Sequence, residues 1–256
     1  MIKMRAKSFA KINIFLKIVG TKDEYHNIVS RFIKVEDLYD EIEFVPGRFE
    51  KFTIQGCGIK REDNIIYKAF TLLNDYTQNP QIIDFFYHHK VVIKKNIPIG
   101  GGLGGGSSNG ATFLKMCNQI IDLRLSTQDL LKIGSKIGSD IPFFMLGFNS
   151  ANVSGVGEIV EEFKEEIPKI ELKFTNIHCD TAKVYKNYRK KFMKIFEVEF
   201  ANELKKLPSK EILQKIEPIR ANDLYKSAID LYPDLEKFKN EWFLSGSGGT
   251  IFRLKD

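Results

Sequence analysis

Between residues 8 and 18 every second position is apolar. Ala10, Ile12, Ile14, Leu16 and Ile18 fall on one side of an extended chain and Lys11, Asn13 and Lys17 on the other. The pattern predicts a strand with Lys11 and Asn13 side by side, and taken by itself it makes their face a solvated one. Runs at 28–35 and 41–45 predict further strands. From Asn64 to Tyr76 the spacing becomes helical, through Ile66, Phe70, Leu73 and Tyr76. Val91 to Lys95 reads as a strand that feeds a glycine-rich segment. Beyond the glycines, Phe113, Leu114, Cys117 and Ile121 form the inward stripe of a helix for which Ser107 or Ser108 is a suitable N-cap. Another helix starts at Ser126, which forms a capping-box pattern with Asp129. Past Phe148 the pattern changes to short strands and glycine turns, then to Lys- and Glu-rich helical stretches, and finally to an apolar W-F-L before the last glycines. That change predicts two domains, 1–150 and 151–256.

Composition narrows the class. The 256 residues are 43% apolar and 28% charged, an ordinary balance for a folded globular chain and too apolar for global disorder. The net charge of +6 suits a polyanionic partner, either nucleic acid or a phosphorylated small molecule. Its densest part is the run Lys183, Lys186, Arg189, Lys190, Lys191 and Lys194, which reads as a solvated helix face followed by compensating Glu197, Glu199 and Glu203. Cys57, Cys117 and Cys179 are odd in number and far apart, with no histidine at ligand spacing, so they read as reduced thiols. No run of eighteen apolar residues occurs, and M-I-K-M-R-A-K-S lacks the apolar stretch of a signal peptide. A cytoplasmic protein with no membrane partner is expected.

The segment P-I-G-G-G-L-G-G-G-S-S-N-G at 98–110 carries the candidate chemistry. Glycines between a strand and a helix N-terminus let backbone N–H groups converge on an anion, and the helix dipole reinforces them. A Walker A loop is excluded, because no lysine follows the glycines. Gly100, Gly102 and Gly105 satisfy G-x-G-x-x-G, yet the acidic residue a dinucleotide fold needs on its next strand is missing. Gly106 to Gly110 also matches G-x-S-x-G, with Asp140 and His178 following in the order an α/β-hydrolase uses; that reading makes Ser108 a nucleophile on a strained elbow. It leaves the earlier glycines, and the clusters S-G-V-G-E at 154–158 and S-G-S-G-G at 245–249, without a role.

Five motifs in order, A-K-I-N at 10–13, D-E-Y-H at 23–26, the glycine segment, G-S-D-I-P-F-F at 138–144 and L-S-G-S-G-G at 244–249, resemble the motif set of the GHMP small-molecule kinases. They span nearly the whole chain. The resemblance implies an α+β, two-domain protein, with an N-terminal domain like the second domain of ribosomal protein S5 and a ferredoxin-like C-terminal domain. It implies transfer of the γ-phosphoryl group of ATP, with Mg²⁺, to a hydroxyl of a cytidine diphosphate-linked methylerythritol.

The resemblance also assigns residues. Lys11 and Asp140 match the catalytic pair, and a carboxylate that takes the hydroxyl proton beside an ammonium that stabilises phosphoryl charge suits that chemistry. Pro98, Gly100, Gly101, Gly102, Leu103, Gly104, Gly105, Gly106, Ser107 and Ser108 would wrap the triphosphate, with Asn64 and Lys95 near the adenine. Asn13 would orient the polyol, Asp140 would also touch it, and Tyr25, His26 and Tyr185 would hold the cytosine. The magnesium ligands are left open, as is the choice between a monomer and a weak homodimer. Glu24 departs from the family's usual glycine, so a different turn before Tyr25 is expected. No nucleic-acid partner is expected, although a basic nucleotide- or RNA-binding module is the rival, since the S5-like fold is also a ribosomal one.

Overall fold

The computed structural model describes residues 4–193 and 195–255. Met1, Ile2 and Lys3 of the N-terminal stretch and Lys194 of the basic run lie outside the described residues. The chain divides into two units, and neither is one continuous stretch. The first comprises Met1–Ala10, Val35–Ile97 and Gly105–Gly147; the second comprises Lys11–Lys34, Pro98–Gly104 and Phe148–Asp256.

Two long strands, β1 (Arg5–Lys22) and β2 (Tyr25–Pro46), contribute residues to both units. The separate runs at 28–35 and 41–45 are parts of β2, because the acid-rich stretch E-D-L-Y-D between them remains extended. In the first unit, after the short β3 (Ile54–Gln55), come the helices α1 (Ile65–Thr77) and α2 (Pro80–His88) and then β4 (His89–Lys94). β4 pairs antiparallel with β2, Ile42 facing Ile93 and Phe44 facing Val91, while β3 lies parallel to β4. The periodicity of the sequence predicts no element at α2. Its local signal is Asn79, whose side chain accepts from Gln81 N, followed by Pro80 at the first helical position.

The helices α3 (Gly105–Ile120), α4 (Thr127–Ser135) and α5 (Ile141–Leu146) complete this unit. Ser126 and Asp129 form both halves of the predicted capping box on α4. α3 starts earlier than expected: Gly105 and Gly106 are already helical, so Ser107 and Ser108 lie in its first turn and do not cap it. The core gathers Ile42, Phe44, Leu73, Phe86, Phe113, Ile141 and Met145, all buried. It thereby fixes the start of α5, where Asp140 stands.

In the second unit β5 (Ser150–Gly155) pairs antiparallel with β2, Ile33 facing Ser150, and β6 (Ile159–Glu162) pairs with β5. A separate antiparallel sheet has β9 (Thr250–Leu254) between β7 (Ile170–Phe174) and β8 (Phe243–Leu244). Short helices α6 (Thr181–Asn187), α7 (Val198–Leu204), α8 (Ser209–Lys215), α9 (Pro218–Ala221) and α10 (Tyr225–Leu231) pack around a core of Leu16, Ile18, Val184, Tyr225, Leu235, Trp242 and Ile251. Between α6 and α7 the residues Tyr188–Phe192 form a π-helical turn. The basic run is therefore not one long solvated helix.

The polar face of β1 is a correction. Lys11, Asn13 and Lys17 are only 4%, 2% and 2% exposed, so the strand is covered on both faces where the alternation predicts water on one. A buried ammonium is tolerated only when paired. Lys17 bonds Glu197 at 2.9 Å, Asp223 and the carbonyl of Arg220, and Asp223 also accepts from Ile18 N at 2.7 Å. Burial pushes the Asp223 carboxyl above its usual range despite the lysine, whereas the same lysine holds that of the more exposed Glu197 below it.

Candidate functional site

In the second unit, β1 delivers Lys11 and Asn13 to the glycine segment. Lys11 Nζ donates to Asn13 Oδ1 at 2.6 Å and to the Gly102 carbonyl at 3.1 Å, and it lies 4.5 Å from the centre of the Phe32 ring. The Lys11 backbone N–H donates to Leu103 O at 2.9 Å, which ties strand and loop together. Asn13 Nδ2 donates to Ser30 Oγ at 3.0 Å, and that hydroxyl in turn donates to Phe15 O at 2.5 Å. The side-by-side placement predicted from period two is thus realised as a hydrogen bond.

The last glycine motif belongs to the same assembly. Ser245 Oγ donates to the Gly102 carbonyl at 3.0 Å. Gly102 has φ 72°, and a Cβ placed on it would stand 2.0 Å from the Ser245 carbonyl oxygen. Only a residue without a side chain fits that approach. His178 serves the loop too, since a Cβ on Gly100 would come within 2.4 Å of its ring. Asn222, which the sequence reading did not single out, holds the motif from behind. It is 2% exposed, and its Nδ2 donates to Leu244 O at 2.9 Å and Gly246 O at 2.8 Å.

A second group forms at the far end of the same strands. Tyr25 is 67% exposed, while His26 is buried, its ring centre 5.1 Å from that of Tyr185 and 6.0 Å from that of Tyr188. His26 Nε2 is buried without a protein partner among the described residues. Burial and, secondarily, the Arg189 guanidinium hold the pKa of this histidine below its ordinary value, so the ring is neutral at pH 7. A neutral imidazole offers one donor and one acceptor. Tyr188 and Arg189 are further residues of this group, which the charge pattern alone places in a basic run; the aromatic interleaving of that run is the signal that sets them apart.

The first unit holds the remaining candidates. Asp140 is half-buried at the N-terminus of α5 and its side chain makes no capping bond to that helix. The first-turn N–H groups of α3 have no intrahelical partner, and Gly106 at this end is exposed. Ser8 Oγ donates to Asn109 Oδ1 at 2.7 Å and accepts from Ser108 Oγ at 2.8 Å, and both helix residues are buried. Ser108 is therefore not the exposed elbow nucleophile of a hydrolase. Ser107, half-buried, lies against Gly138. Asn64 caps α1 through Ile66 N at 2.9 Å and donates to Cys57 Sγ at 3.0 Å. Lys95 pairs at 2.5 Å with fully buried Asp40, which also accepts from the N–H groups of Asn96 and Ile97. Among the described residues no cluster of three His, Cys, Asp or Glu side chains could hold a metal ion, and no helix is long and apolar enough to cross a membrane.

Comparison with known proteins first gives the class. Residues 64–148 match the GHMP kinases N terminal domain. The fold is also that of the mevalonate kinase of Methanococcus jannaschii, with a TM-score of 0.64 at 15% identity over 100% of this chain and 91% of that one. The α+β architecture and glycine motifs are those of a GHMP small-molecule kinase, an enzyme class that uses ATP.

The particular family follows from nearer relatives. The chain is 47% identical to a 4-diphosphocytidyl-2-C-methyl-D-erythritol kinase of Sulfurovum sp. (strain NBC37-1), over 96% of this chain and 97% of that protein. It is 41% identical to the kinase of the same name from Campylobacter jejuni subsp. doylei, over 97% and 99%. A crystal structure of 4-(cytidine 5'-diphospho)-2C-methyl-D-erythritol kinase superimposes with a TM-score of 0.75 at 25% identity, covering 99% of this chain and 90% of that one. The chain belongs to the 4-diphosphocytidyl-2-C-methyl-D-erythritol kinase family.

Proposed function

We propose that the protein phosphorylates the 2-hydroxyl of 4-diphosphocytidyl-2-C-methyl-D-erythritol with ATP, a step of the non-mevalonate isoprenoid pathway. One observation carries the reading beyond kinship: Lys11, Asn13 and the Gly102 carbonyl are hydrogen-bonded into one buried constellation on a glycine loop. A buried ammonium against a phosphate-binding loop is what phosphoryl transfer needs to stabilise charge on the moving group.

Asp140 takes the proton of the attacking hydroxyl, Lys11 stabilises charge on the phosphoryl oxygens and Asn13 orients the polyol. Gly100, Gly101, Gly102, Leu103, Gly104, Gly105, Gly106 and Ser107 hold the triphosphate through backbone N–H groups and the Ser107 hydroxyl, and Pro98, which has no N–H to offer, opens the loop with a fixed φ. Ser108 contributes its backbone, since its buried hydroxyl already donates to Ser8. Asn64 and Lys95, each fixed by an intramolecular bond, flank the adenine. Magnesium, when bound, would neutralise phosphate charge and be held chiefly by the phosphates. In modular terms, residues 1–150 carry the phosphate loop and catalytic base, and 151–256 the substrate wall and last glycine motif. The protein works in the cytoplasm as a monomer or weak homodimer.

The deciding experiment incubates the protein with ATP, Mg²⁺ and 4-diphosphocytidyl-2-C-methyl-D-erythritol and looks for ADP and a phosphorylated product. Folded protein that yields neither overturns the assignment. Affinity for RNA that falls steeply with salt, without ATP turnover, would favour the ribosomal-type rival instead.

For the cytosine, Tyr25 and Tyr185 supply ring faces and the neutral His26 the polar edge contact. Tyr185→Ala is expected to weaken substrate binding about 5- to 150-fold, the worth of one base–aromatic stack at roughly 1 to 3 kcal/mol, while ATP affinity stays constant. Calorimetry with each ligand checks it; an unaltered substrate Kd removes Tyr185 from the site.

A further inference from the structure

Arg189 stands apart from the rest of its basic run. Lys183, Lys186, Lys190 and Lys191 are exposed, whereas Arg189 is half-buried and turned toward the connection between β1 and β2. Its Nη2 donates to Asp23 O at 3.1 Å and to Tyr25 O at 3.4 Å, and its Nη1 lies 3.6 Å from Glu24 Oε2. One guanidinium thus engages three successive residues, Asp23, Glu24 and Tyr25. The restraint falls on a turn in which Asp23 has φ 53°, a left-handed conformation that aspartate tolerates better than most side chains but that glycine adopts more freely. The π-helical turn that carries Arg189 also begins with Tyr188, against the His26 ring.

We propose that Arg189 is a positioning residue for nucleobase recognition: it ties the Asp23–Tyr25 turn to the π-helical turn, so that Tyr25 and His26 stand preformed opposite Tyr185. The inference rests on the cytosine reading of this group. Preorganisation raises affinity by removing the cost of ordering a loop on binding. The planar fork of arginine matters here, since a lysine ammonium cannot direct donors to two carbonyls and a carboxylate in fixed geometry. The Glu24 side chain is 94% exposed, so its ion pair is screened by solvent and the two carbonyl bonds carry the restraint. The described groups facing His26 are Tyr185 from α6 and Tyr188 and Arg189 from the π-helical turn, and Arg189 is the charged one among them. Its loss therefore leaves a second signature, an upward shift of the His26 titration.

The test compares Arg189→Ala, Arg189→Lys, Glu24→Gln and Tyr185→Ala. Each is characterised by steady-state kinetics with 4-diphosphocytidyl-2-C-methyl-D-erythritol and with ATP, by thermal unfolding, and by NMR titration of His26. Arg189→Ala is expected to raise the KM for the cytidine substrate about tenfold, the effect of losing roughly one charge-assisted hydrogen bond. The kcat and the KM for ATP should stay within about twofold of the parent and the His26 titration should move up. Arg189→Lys should restore the His26 titration without restoring KM, and Glu24→Gln should change KM by less than about threefold.

If Tyr185→Ala raises KM while Arg189→Ala does not, the positioning role is wrong and the base site stands. If neither changes KM, the cytosine reading falls, and the inference with it. Equal losses in kcat, both KM values and thermal stability, or failure of both Arg189 variants to fold, would make Arg189 a purely structural residue and overturn the proposal.

Discussion

Asp140→Asn is expected to lower kcat by about two to four orders of magnitude while the fold and ATP affinity survive, the usual worth of a positioned general base. The substitution keeps the shape of the side chain and removes its ability to take a proton. The Asp140 side chain forms no capping bond to α5, so the amide costs that helix no cap. Steady-state turnover together with calorimetric ATP binding checks both halves of the expectation. Near-parental turnover in a folded variant would remove Asp140 from the mechanism. Lys11→Ala should also lower kcat, and the double variant should lose less than the sum of the two if they serve one step. Part of the Lys11 effect will be structural, because its removal leaves the Gly102 carbonyl and Asn13 Oδ1 without that donor.

Gly102→Val carries the other large effect, on ATP binding. At φ 72° a β-branched residue is strained by its backbone alone, and its Cβ would lie 2.0 Å from the Ser245 carbonyl oxygen and 3.1 Å from that of Gly248. Both obstacles are backbone atoms and cannot rotate away. The loop would have to withdraw, taking with it the carbonyl that accepts from Lys11 and from Ser245. Overpacking of this kind costs about 1 to 3 kcal/mol or more, so ATP affinity should fall by roughly 5- to 150-fold at least. Gly104→Val is the graded comparison: its φ is 67°, and left-handed strain of about 1 to 2 kcal/mol predicts a smaller loss. Unchanged ATP affinity in folded Gly102→Val would move the phosphate cradle elsewhere, with Ser245–Gly249 the next place to look.

Much of the local structure could be read along the chain because short-range sterics write it there. The helix at Asn64 to Tyr76, the capping box of Ser126 and Asp129 and the strand through Lys11 and Asn13 all appear where periodicity places them. The start of α3 and the unity of β2 did not, since glycines can be helical or not and a polar stretch can stay extended when its neighbours pair. The reach of α2 was missed because a short apolar cluster after an Asn-Pro resembles a turn as readily as a helix.

By itself the sequence determined that Lys11 and Asn13 are neighbours and that glycines precede a helix. It also held the family motifs, which local spacing alone could not interpret. The tertiary structure decided which of these groups are buried and what they touch. Lys11 and Asn13 were expected on a solvated face and are sealed from water, because the second face of β1 is covered as well. Ser245 meets Gly102 from 143 residues away, and Arg189 meets Tyr25 from 164 residues away. Periodicity reports only how consecutive residues are disposed along one backbone. Contacts of that separation depend on the path of the whole chain and on the burial that makes each polar atom find a partner.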